Sequence, residues 1–111
     1  MNTSDRELLE AAAKAAGIEV DFTVFSDGSF ICFQKGGDCF HDEWNPLTDD
    51  GDALRLATKR QMTLAFEPSR GGWSVGAIVN GEFRWLAHDD DVRRAIVRAA
   101  AAIGRDTHEH E

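Results

Sequence analysis

The chain has 111 residues, of which 42% are hydrophobic and 29% charged, and its formal net charge is −8. That length suits one domain with one core, and the balance is globular rather than disordered. No apolar run approaches a membrane span, and the opening residues lack the basic-then-apolar order of a signal peptide. The expectation is a cytosolic protein with no membrane partner, in which Cys32 and Cys39 stay reduced.

Ser4 followed by Glu7 is a capping-box pattern, and Leu8, Leu9, Ala12, Ala15 and Ala16 recur at helical spacing before Gly17. These residues predict a helix over 5–16. Ile18, Val20, Phe22 and Val24 alternate with polar residues as a strand, Ser26-Asp27-Gly28-Ser29 turns the chain, and Phe30 to Gln34 returns. After a loop at 35–38, Cys39 to Glu43 reads as a third short strand. Trp44 to Leu47 is irregular because of Pro46. Thr48 or Asp49 can cap a second helix carrying Ala53, Leu54, Leu56 and Ala57. Met62, Leu64 and Phe66 alternate as a strand, and Trp73, Val75, Ala77 and Val79 form one face of the next. Asn80-Gly81 is a two-residue hairpin signal, and Phe83, Trp85 and Ala87 return. Trp73 and Trp85, at alternating positions on facing strands, read as core. The last helix starts after Asp89, Asp90 and Asp91. Val92, Ala95, Ile96, Ala99, Ala100 and Ile103 give its apolar side, and Gly104 is expected to end it. The result is an α+β domain over 1–104, in the order α-β-β-α-β-β-β-α, with a frayed tail over 105–111. Short hairpin links imply an antiparallel sheet of four to five strands covered by three helices.

The segment from Trp44 through Pro46, Thr48 and Asp49 to Leu54 lies between an acidic-capped first helix and an Ala-rich last one. It resembles small phage and prophage proteins of the phage ABA sandwich type, which carry a Pro-x-Ser/Thr-Asp segment before their central helix. Asp5-Arg6-Glu7-Leu8-Leu9 resembles their opening helix and Arg94-Ala95-Ile96 their last. The resemblance implies a helix-covered sheet and a phage origin, and it implies no activity.

Charge is unevenly placed. Asp38, Asp42, Glu43, Asp49, Asp50 and Asp52 fall in one stretch without a single Lys or Arg, so that stretch holds −6 of the net −8. Such a surface repels a phosphate backbone, and direct nucleic-acid binding is not expected. Capping of the second helix accounts for Asp49, Asp50 and Asp52. Asp38, Asp42 and Glu43 are left beside Trp44, which is either a packing anchor or a contact residue.

Cys32, Cys39, His41 and His88 lack the tight Cys pairs of structural zinc sites, and Asp49-Asp50-Gly51-Asp52 lacks the ligand spacing of a calcium loop. No metal or cofactor is expected. Cys39 and His41 share a strand face and are the pair a small enzyme would use, but no acid, base and oxyanion arrangement is visible, so catalysis is not the favoured reading. The leading expectation is a phage accessory protein that binds a protein partner through Asp38, Asp42, Glu43, Trp44, Asp49, Asp50 and Asp52. The alternatives are an acidic nucleic-acid mimic that blocks a host DNA-handling or defence protein, and a small Cys/His enzyme. Self-association is left open.

Overall fold

A computed structural model describes residues 4–35 and 42–109. The helix α1 (Asp5–Ala16) starts as its capping box requires. Ser4 Oγ accepts the Glu7 N–H at 3.2 Å, and Glu7 Oε1 accepts the Ser4 N–H at 3.1 Å. The Ser4 N–H and the Ser4 hydroxyl both donate to Glu7 Oε1 and hold its carboxyl below the ordinary range. Gly17 closes α1 in the left-handed region, φ 72°. Leu8, Leu9, Ala12, Ala13 and Ala16 form its buried side.

Strands β1 (Val20–Val24) and β2 (Phe30–Gln34) pair antiparallel, with Phe22 opposite Cys32. Asp27 fixes their turn by accepting both the N–H and the hydroxyl of Ser29. The two-residue β3 (Asp42–Glu43) adds to the far side of β2, and Trp44 N–H continues that ladder to the Cys32 carbonyl at 2.8 Å. Residues 36–41 lie outside the described residues, so only the end of the strand expected at 39–43 can be placed. Trp44, Pro46 and Leu47 then dive into the core. This segment and α2 (Asp50–Lys59) carry the chain to a second antiparallel sheet of β4 (Thr63–Phe66), β5 (Trp73–Val79) and β6 (Glu82–Asp89).

The α+β class and the three-helix order are as expected. The strands, however, divide between two sheets of three rather than forming one. Asn80 and Gly81 both adopt positive φ, 53° and 83°, the type I′ geometry that suits a two-residue hairpin. The β5–β6 ladder slips by one residue between Val75 and Gly76, which leaves Leu86 as the extra residue of a bulge.

Helix α3 (Val92–Glu109) lies at the centre, touching α1, α2, β5 and β6. Asp91 opens it: its carbonyl accepts the Ala95 N–H and its carboxylate the Arg93 N–H, both at 2.9 Å. Gly104 does not end this helix, as its residue type suggested; the helix runs through it to Glu109. Gly104 is buried against α1, where a Cβ would fall onto the Ala11 carbonyl oxygen. The glycine is there for close helix approach and not for a C-cap.

Trp85 does not lie in the core, where its alternating strand position was expected to put it. It is 56% exposed, and Phe83 is 45% exposed. Phe83 pairs with Ile78 and Trp85 with Gly76, so both rings share the outer face of β5, opposite the buried Val75 and Ala77.

Candidate functional site

The structure separates the residues of the acidic stretch. Trp44 is 4% exposed and belongs to the core cluster, so it is the packing anchor and not a contact residue. Asp49 caps α2 by accepting the Asp52 N–H at 2.8 Å. Asp52 is turned inward. One of its oxygens accepts the Asn45 N–H at 2.9 Å, and the other holds Arg55 Nη2 at 2.6 Å. These bonds fasten the Trp44–Leu47 loop onto α2. Asp50 is exposed and lies 3.6 Å from Arg93 Nε, while Arg93 Nη1 donates to the Thr48 carbonyl. Glu43 is exposed on β3.

Glu43, Asp49 and Asp52 meet at a shallow cleft of about 410 Å³, and Arg55 reaches into the same cleft and offsets their charge. Asp38 and the side chain of Asp42 lie outside the described residues. The described part of the acidic stretch therefore fixes a loop and a helix start, with Glu43 and Asp50 facing outward.

Cys39 and His41 also lie outside the described residues. Cys32 is fully buried on β2, and its burial, with the nearby carboxylates of Glu10, Asp21 and Glu43, pushes the thiol up to about 12. A neutral buried thiol is a poor nucleophile. In a Cys39→Ser variant, Cys32 is expected to resist a thiol reagent at pH 8 and to react at once in denaturant. Rapid native labelling would contradict its burial.

One polar cluster escaped the sequence reading. Ser74 Oγ lies 3.0 Å from His88 Nδ1, His88 Nε2 lies 3.3 Å from the Gly71 carbonyl, and Glu67 stands 3.8 Å from Nδ1. With Nε2–H donated to Gly71, Nδ1 is the acceptor for the Ser74 hydroxyl. The bulge at Leu86 creates this pair, because it shifts the register so that Ser74 faces His88. Ser74 is only 4% exposed, so its oxygen is not presented to a substrate. The cluster ties the β4–β5 loop to the end of β6. Among the described residues, no three His, Cys, Asp or Glu side chains converge as a metal site would require.

The outer face of β5 and β6 is different in kind. Phe83 and Trp85 meet edge to face, ring centroids 5.0 Å apart, and Ile78 beside Phe83 is 60% exposed. Gly76 makes this arrangement fit, since a Cβ there would press into Phe83 and the β6 backbone. A sheet face that could carry polar residues instead presents three adjoining large apolar side chains. Among the described residues, no helix is long and apolar enough to cross a membrane. No family model, curated protein or solved structure matches the chain.

Proposed function

We propose that the chain is a protein-binding module that docks through the outer face of the β4–β6 sheet. The observation that carries this reading is the exposed group of Ile78, Phe83 and Trp85, held together over Gly76. Large aromatics dominate contact energies when a partner desolvates them, and a rigid sheet presents them without ordering cost. The sequence resemblance to phage proteins supports a setting as a phage or prophage accessory protein in the cytosol of a bacterial host. The reading moves the contact surface away from the acidic stretch, where Trp44, Asp49 and Asp52 are occupied by the fold.

Two double variants test it, each checked first for an unchanged melting temperature. Phe83→Ser with Trp85→Ser is expected to cut partner capture from host lysate about ten-fold or more, since a contact hot spot carries ~2 kcal/mol. Asp42→Lys with Glu43→Lys is expected to leave capture unchanged. The opposite pattern would restore the acidic stretch as the contact surface and remove this one.

A further inference from the structure

The edge of β1 has its own recognition chemistry. Along its ladder, the Lys35 N–H reaches the Glu19 carbonyl at 2.9 Å and the Phe25 N–H reaches the Ser29 carbonyl at 2.8 Å. In an antiparallel pair these alternate positions spend both backbone groups on the partner strand. The N–H and C=O groups of Val20, Phe22 and Val24 therefore point away from β2. Among the described residues, no strand lies on that side of β1. Among the described residues, the outward Phe22 N–H is met by the neighbouring carboxylate, Asp21 Oδ1, at 3.1 Å.

A groove of about 610 Å³ runs beside this edge, between α1 and the segment from Gly17 to Phe22. Ala13, Ile18, Val20 and Phe22 give it apolar walls. Glu10, Glu19 and Asp21 add three carboxylates, against the cations of Lys14 on the wall and of Arg6, whose guanidinium lies 5.9 Å from the Phe22 ring. An unpaired strand edge and apolar walls for alternate side chains are the elements of recognition by strand addition, and the carboxylates along the rim set the charge of what it takes.

We infer that β1 takes an extended peptide segment in which lysine or arginine alternates with apolar residues, added as a further strand of its sheet. A peptide carbonyl accepts the Phe22 N–H and displaces Asp21, whose carboxylate is then released to a peptide cation. The apolar side chains enter the groove between α1 and β1. The carboxylates of Glu10, Glu19 and Asp21 draw such a segment in. A second copy of the chain is the wrong occupant, because pairing two β1 edges sets Glu19 and Asp21 against the same residues. This surface lies on the other sheet from Phe83 and Trp85 and does not depend on them.

The test uses the full chain and a short synthetic peptide alternating lysine and valine, with binding read by fluorescence anisotropy. Saturable binding is expected, weakened several-fold by Glu10→Gln with Glu19→Gln and unchanged by Phe83→Ser with Trp85→Ser. Val20→Pro removes an outward N–H at the first residue of an edge strand, where proline is tolerated, and is expected to abolish binding. The same peptide N-methylated at alternate residues keeps its charge and apolar groups but cannot complete the ladder, so it decides the matter even if Val20→Pro fails to fold. Equal binding of the N-methylated peptide would overturn strand addition. Equal binding of a glutamate–valine peptide would overturn the charge preference, and no binding of the lysine–valine peptide would overturn the whole inference.

Discussion

Replacing Trp44 with alanine is expected to cost about 3–5 kcal/mol, the range for removing a buried large aromatic. The indole is 4% exposed within a core that also holds Leu47, Leu56 and Cys32. Its backbone is pinned to Cys32, and the loop that follows it is pinned through Asn45 to Asp52, so collapse around the hole is opposed from both sides. The removed ring leaves lost transfer energy plus a cavity that the neighbours cannot fill. Denaturant unfolding followed by circular dichroism measures the loss. A loss below ~1 kcal/mol would mean that Trp44 is not an anchor, and its placement beside Glu43 would again suggest a contact role.

Gly104→Ala is the second large effect, and its sign is the informative part. On helix propensity alone, alanine should stabilise a helix interior by about 1 kcal/mol over glycine. Here the added Cβ falls on the Ala11 carbonyl of α1, a backbone atom that cannot rotate aside. The α1–α3 seam is lined by alanines buried on both helices, among them Ala12, Ala13, Ala99 and Ala100, so no flexible side chain can absorb the shift. We expect a net loss of about 2 kcal/mol or more, as for other overpacked cores. Ala11→Gly should not rescue it, because the contact is with the carbonyl and not with the Ala11 side chain. A variant as stable as the parent, or more so, would show that α1 and α3 do not approach this closely.

The same two residues show where the sequence was legible and where it was not. Local signals were sound: the capping box placed α1, Asn80-Gly81 placed the β5–β6 hairpin, and Asp49 was one of two expected caps for α2. Gly104 carries the same letter whether it ends a helix or lets another helix approach, and only the tertiary neighbour tells the two apart. The fate of Trp44 depends likewise on where the loop folds. Division of the strands into two sheets follows from how residues 44–62 cross between them, which no local pattern encodes. The exposed aromatics could have been found. Counting back from the two-residue turn sets Phe83 opposite Ile78 and Trp85 opposite Gly76, which is the face away from Val75 and Ala77. Alternation alone hid this, because both faces of β5 carry apolar residues.

The chain contains three tryptophans and no tyrosine, so emission excited at wavelengths beyond phenylalanine absorption comes from indoles alone. They occupy three distinct environments. Trp44 is enclosed, Trp73 is half-buried edge-on to Phe66 at 5.3 Å, and Trp85 lies open to solvent beside Phe83. An indole in an apolar surrounding emits at shorter wavelength, and an exposed one is quenched by iodide. The native protein thus carries two reporters without any label: a blue-shifted one in Trp44 that follows folding, and a quencher-accessible one in Trp85 that dims or brightens when something covers the outer sheet face.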